Sequence, residues 1–189
     1  MHTVNLIAQG TGETQRIGDV IDISSIDYKL HMYVRDSGAT KFGITQNPTA
    51  DEVLSGTWRL WIIWDNTPPD AAVVIPADIL RKPRIDDFLK MSNRHRFKVL
   101  ATQRGNWNFG GLTSTAANNS ENTYEHYIKF PKPTSIGALQ TIFSATTPAD
   151  SRDIRSGGMY ALLLLNDTPH TTGTNVFRIH LKFRLRYFG

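Results

Sequence analysis

The chain contains no cysteine among its 189 residues. Disulfides and thiolate metal sites are therefore excluded, and stability has to come from burial. A chain of this length can bury well over half of its unfolded surface. Long apolar runs are missing too. The stretches at 60–64 and 160–165 fall far short of the ~20 residues that a membrane-spanning helix needs, so no membrane is expected as a partner. Residues 1–9 lack the basic start and apolar stretch of a signal peptide.

Catalytic signatures are equally scarce. His2, His31, His95, His126, His170 and His180 match no HxH or HExxH ligand spacing. A metal-dependent cupin, itself a jelly roll, would need His and carboxylate ligands in a cluster. The Gly-Thr-Gly at 10–12 lacks a phosphate-binding lysine and a following helix. Asp86 with Asp87, and Asp150 with Asp153, suit helix capping and loop solvation better than cation binding. No nucleophile elbow is present. The expectation is a non-enzyme with no metal, no cofactor and no catalytic residue.

Helical periodicity is confined to short stretches: 49–54 behind Pro48, 77–81 behind Pro76, and 85–91. What remains is strand-like sequence rich in β-branched and aromatic residues, punctuated by Gly, Pro, Asn, Asp and Thr. Eight strands are expected, near 2–8, 18–35, 57–65, 94–104, 123–130, 138–144, 158–166 and 174–187. Two of them end in matching Asx-Thr-Pro turns, WIIWDNTPPD at 61–70 and LLLLNDTPHT at 162–171. The connections at 36–56, 66–93, 105–122 and 145–157 are long, which argues against a simple meander. Short strands with long excursions fit an all-β jelly roll of two packed antiparallel sheets, with short helices in its loops. No linker divides the chain, so residues 1–189 form one domain.

The formal charge of +4 is modest; its distribution carries more information. In NVFRIHLKFRLRYFG at 175–189, Val176, Arg178, His180, Lys182, Arg184 and Arg186 alternate with Phe177, Ile179, Leu181, Phe183, Leu185 and Tyr187. One face is a core surface and the other a row of cations. Such a row repels itself, so something negative should oppose it. Phosphate is one answer, because basic side chains gain affinity by releasing condensed counterions. A solvated face, or neutralisation by carboxylates such as Asp22 or Asp27, is the other. The segment at 26–35 adds Lys29, His31 and Arg35 on a face shared with Tyr33, and NRHRFKV adds Arg94, Arg96 and Lys98. Lys29, His31, Arg35, Arg178, His180, Lys182, Arg184 and Arg186 are the candidate nucleic-acid contacts.

Trp58 and Trp64 should share one strand face, with Trp61 on the other, packed in a core or an interface; a base-stacking platform is the alternative. Trp107, in RGNWNFGG, is expected as an exposed loop anchor. With Phe109, Pro68 and Pro69 it forms the candidate subunit interface.

Four segments carry a resemblance: IAQGTGETQRIGDVIDISSIDYKLHMY at 7–33, WRLWIIWDNTPP at 58–69, NRHRFKVLATQR at 93–104, and GGMYALLLLND at 157–167 followed by FRIHLKFRLRYF at 177–188. In order and spacing the chain resembles the capsid proteins of circular, Rep-encoding single-stranded DNA viruses, the circovirus- and geminivirus-like group. The resemblance covers almost the whole chain and rests on loose patterns of aromatic, basic and apolar residues; a satellite-virus coat protein is the nearest lookalike. It implies an eight-stranded viral jelly roll and a self-assembling homo-oligomer, a T=1 icosahedral shell. It also implies non-specific contact with single-stranded DNA, residence in the virion, and passage through the host nucleus during assembly. Capsid proteins of this group begin with an arginine-rich arm, whereas here Met1 leads almost at once into strand-like sequence, so the expectation is a domain without that arm. The alternative is a soluble jelly-roll module that binds a ligand or carbohydrate, in which the basic strand is only surface.

Overall fold

The computed structural model describes residues 1–10, 15–36, 55–67, 74–82, 84–87, 89–108, 121–130, 139–144, 151–166 and 175–188. The elements are β1 (His2–Thr3), β2 (Val20–Asp36), β3 (Ser55–Asp65), α1 (Pro76–Ile79), β4 (Phe97–Asn108), β5 (Glu121–Lys129), β6 (Leu139–Phe143), β7 (Ile154–Ser156), β8 (Gly158–Leu165) and β9 (Asn175–Phe188). They build an all-β, jelly-roll-like pair of antiparallel sheets. One sheet has the order β1-β8-β3-β4; in the other, β2 pairs with β9 along one edge and with β5 and then β6 along the other, and β7 follows β6. Pairings nest across the chain: β2 closes on β9, and β3, inside it in sequence, closes on β8.

Among the described residues there are nine strands where eight were expected. The addition is β7, three residues long and within a stretch expected to be loop. Of the expected helices, 77–81 is present as α1, and 49–54 lies outside the described residues. The stretch at 85–91 is not a helix. Its chain folds back on α1 through a Leu80–Leu89 bridge and a Lys90 N–H to Ile79 carbonyl bond of 2.8 Å. Asp87 accepts from the backbone N–H of Lys82, a local side-chain bond of the kind that competes with helix.

Both faces of β3 and β8 are buried along the middle of the β1-β8-β3-β4 sheet, while β4 exposes Lys98, Val99, Thr102, Arg104 and Asn106. Trp58, Leu60, Ile62 and Trp64 point into the main core against the other sheet, and Trp61 and Ile63 point the opposite way. There they pack with Phe97 of β4 and are covered by Val74, Ile79 and Leu80 of the connection after β3, which form a lid over a second core. Burial on both faces accounts for the near-continuous apolar run WRLWIIW, where a half-exposed strand would alternate.

Among the described residues, the five-stranded sheet is covered on one face and largely open on the other, where Tyr33 is buried. Ile21 and Ile23 of β2 face the core, and after a register shift between Ile23 and Ser25 the inward set becomes Ile26, Tyr28, Leu30 and Met32. A bulge inserts one residue and so switches the side-chain phase. Its consequence is that Asp27, Lys29, His31 and Tyr33 share the opposite face. Between the sheets, Trp58 packs on Tyr124 with ring centroids 4.7 Å apart, and the Tyr28 hydroxyl donates to Gln103 Oε1. Burial pushes the Tyr28 phenol up to about 12. Asn5 ties the N-terminal segment to both sheets, donating to Thr141 Oγ1 at 2.7 Å and accepting from the Met159 N–H at 2.9 Å.

Trp107 corrects the sequence-based expectation. It lies in β4, fully buried in the main core, and is not a surface anchor within the subunit. The reason is a reciprocal fit between β3 and β4. Gly56 is opposite Trp107 and Trp58 is opposite Gly105. A Cβ on Gly56 would come within 2.5 Å of the Trp107 ring, and one on Gly105 within 2.6 Å of Trp58. Each strand supplies a Gly-x-Trp triplet, and the antiparallel register lays each indole over the other strand's glycine. Pro68, Pro69 and Phe109 lie outside the described residues.

Trp107→Ala should therefore destabilise the subunit itself, by about 3–5 kcal/mol, and Gly56→Ala by about 1–3 kcal/mol through overpacking. Urea denaturation measures both. A Trp107→Ala chain as stable as the parent would contradict this packing.

Candidate nucleic-acid interface

The uncovered face of the five-stranded sheet brings together most of the expected cations. The β2–β9 register sets Asp27 opposite Arg184, Lys29 opposite Lys182, and His31 opposite His180. Along each strand, successive residues on a face lie about 6.7 Å apart. Lys29, His180, Lys182, Arg184 and Arg186 are exposed and His31 is half-buried. Ile179, Leu181, Phe183, Leu185 and Tyr187 of β9 pack against the core on the other side. Arg178 and Arg35 hold the register positions opposite Tyr33 and Val176; their side chains lie outside the described set.

β5, on the other edge of β2, supplies what sequence reasoning did not assign to this face. Thr123, Glu125 and Tyr127 stand opposite His31, Lys29 and Asp27. Their alternation within ENTYEHYIK is visible in the sequence, but nothing local reveals which strand they pair with. Lys29 Nζ lies 2.5 Å from Glu125 Oε1, and Arg186 Nη2 lies 3.7 Å from Asp27 Oδ2. The Arg186 guanidinium also sits 6.0 Å from the centre of the Tyr127 ring. Carboxylate neutralisation is thus realised for two cations, by exposed pairs of the kind worth about 0–1 kcal/mol. Among the described residues, Lys182 and Arg184 have no carboxylate partner.

At one end of the row an aromatic group gathers. The Tyr33 hydroxyl and His180 Nε2 are 3.2 Å apart, and the His31 and His180 rings stand edge-on with centroids separated by 6.3 Å. A small cavity of about 60 Å³ is bounded by Lys29, His31, His180 and Lys182. A larger open cleft of about 600 Å³ is lined by residues that include Lys29, Tyr127, Lys182 and Arg184. Among the described residues, no group of three or more histidines and carboxylates is placed to hold a metal ion.

The third basic segment does not join this face. Arg94 lies in the turn before β4, and Arg96 is bound into the other sheet, its guanidinium donating to both oxygens of the buried Asp65 carboxylate at 2.8 Å. That pair anchors the turn to the end of β3. Its hydrogen bonds to Asp65 hold the Arg96 guanidinium above its usual range.

No protein-family model and no curated protein sequence matches the chain.

Because the Lys29–Glu125 pair is exposed, Glu125→Gln should leave unfolding free energy within about 1 kcal/mol of the parent. Urea denaturation at low and high salt checks this; a larger loss would make the pair a structural element rather than a surface one.

Proposed function

We propose that this chain is the coat subunit of a small icosahedral virus with a circular single-stranded DNA genome. Copies self-assemble into the shell of the virion, and the basic face of the β2–β9 sheet meets the packaged strand. The observation that carries the reading is the division of labour between the sheets. The central strands of one are buried on both faces, while the other leaves Lys182, Arg184 and Arg186 in a regular exposed row beside Lys29. A row of this kind suits phosphate contact that is indifferent to base sequence, since the binding energy comes from counterion release. A single subunit offers few charges, so appreciable binding requires many copies presenting their faces together.

The resemblance along the chain supports the viral assignment, and with it assembly in the host nucleus. The alternative, a ligand- or carbohydrate-binding module, draws on one observation: the cleft of about 600 Å³ beside Tyr127 and Lys182. Its lining spans β2, β5 and β9 and sets Lys29, Lys182 and Arg184 beside the carboxylates of Asp27 and Glu125, and its open row of cations favours an extended polyanion.

Changing Lys182, Arg184 and Arg186 together to Gln should preserve the β-sheet circular dichroism spectrum while lowering nucleic acid per particle, read from absorbance at 260 relative to 280 nm. For oligothymidylate, the slope of log affinity against log salt should shrink by about 0.7 per charge removed. A triple variant that carries as much nucleic acid as the parent would show that this face is not the contact surface.

A further inference from the structure

The row on β9 is not uniform. Toward the Tyr33 end, the lysine pair Lys29–Lys182 is followed by the histidine pair His31–His180, each pair directly opposed across β2 and β9. The four side chains bound a cavity of about 60 Å³, room for a few water molecules or one small oxyanion, and too little for a base or sugar. Two opposed lysines with two imidazoles beside them gather basic groups around one small cavity. Glu125 offsets Lys29 from the β5 side, at an exposed position.

We infer that Lys29, His31, His180 and Lys182 form a seat for one tetrahedral oxyanion, a backbone phosphate of the bound strand, and that protonation of His31 and His180 tightens it. The inference rests on the nucleic-acid reading for the identity of the anion. Its physical basis is mutual. Placing two imidazolium ions beside two ammonium ions is unfavourable unless an anion sits among them, so anion binding and proton uptake favour each other. Histidine is the side chain that changes charge in the range from about pH 5 to about pH 8. Binding therefore strengthens as pH falls through that range and weakens as it rises.

The other groups facing the seat set its limits. From β2 these are Asp27 and Tyr33, with the Tyr33 hydroxyl against His180 Nε2. From β5 they are Glu125, with Thr123 opposite His31. From β9 it is Arg184; Glu121 and Arg178 hold register positions opposite Tyr33, and their side chains lie outside the described set. Glu125 is the competitor: an incoming anion must take Lys29 from it. The seat would hold one phosphate in a defined place, whereas the Arg184–Arg186 end of the row tracks the strand loosely. In a shell, a rise in pH would then loosen the genome at one point per subunit without disturbing the fold.

The test is equilibrium dialysis of the full chain against radiolabelled sulfate, whose charge is constant across the range, at about pH 5.5 and about pH 7.5 and fixed ionic strength. The parent should bind about one sulfate per chain, about fivefold more tightly at the lower pH. The double variant His31→Gln with His180→Gln should bind weakly and equally at both. Lys182→Gln, a second and milder variant, should weaken binding at both pH values while keeping their ratio, and Glu125→Gln should tighten it at both. A parent indifferent to pH, or a pH dependence that survives in the double variant, overturns the inference. Oligothymidylate in the same apparatus separates the two readings. If assembled particles of the chain bind sulfate but no oligothymidylate, the nucleic-acid reading fails and the seat stands; the reverse removes the seat and leaves the basic face.

Discussion

β2 runs beside β9 from Asp22 to Asp36, and on that pairing the rest of the molecule depends. It joins a strand near the start of the chain to the last one, and it completes the sheet that closes the main core. It also lays two sets of cations against each other. The bulge between Ile23 and Ser25 makes this possible. Ahead of it, odd-numbered isoleucines face the core; beyond it, even-numbered residues do, and Lys29 and His31 turn to the opposite face, Lys29 exposed and His31 half-buried. Without that extra residue, β2 would drive a lysine into the core or turn Leu30 and Met32 outward, since a one-residue slip reverses every side chain.

Closing the core in this way concentrates like charge, a cost that two exposed carboxylate pairs offset only in part. The other sheet shows the contrasting solution. Around Trp61, Ile63, Tyr160 and Leu162 its outer face is apolar and is covered by the chain's own lid of Val74, Ile79 and Leu80, fastened where Arg96 grips Asp65. One sheet is thus finished by the chain itself. The other keeps a charged face.

The β9 alternation was legible because a strand half-buried over its whole length writes its period directly into the sequence. The three tryptophans of β3 fall on the expected faces by strand alternation alone, although both faces are buried: Trp58 and Trp64 share the main core and Trp61 lies in the second. What escaped detection was tertiary. Trp107 resembled a loop residue because glycine precedes it, yet Gly105 is there to receive the ring of Trp58 from the neighbouring strand. The paired Gly-x-Trp triplets carry that signal, but only once the register is known. Arg94 and Arg96 shared the alternation of a basic strand while standing in a turn, where Asp65, distant in sequence, claims Arg96. Glu125 and Tyr127 became part of the site only through the β2–β5 pairing, which no local pattern specifies.

The central claim, a shell subunit whose β2–β9 face meets nucleic acid, is tested most directly by electron cryomicroscopy of the purified full chain. The account predicts closed icosahedral particles in which the face carrying Lys182, Arg184 and Arg186 points inward, with density for nucleic acid against it. Monomers or small oligomers at every concentration, or closed shells with that face turned outward and bare, would contradict it.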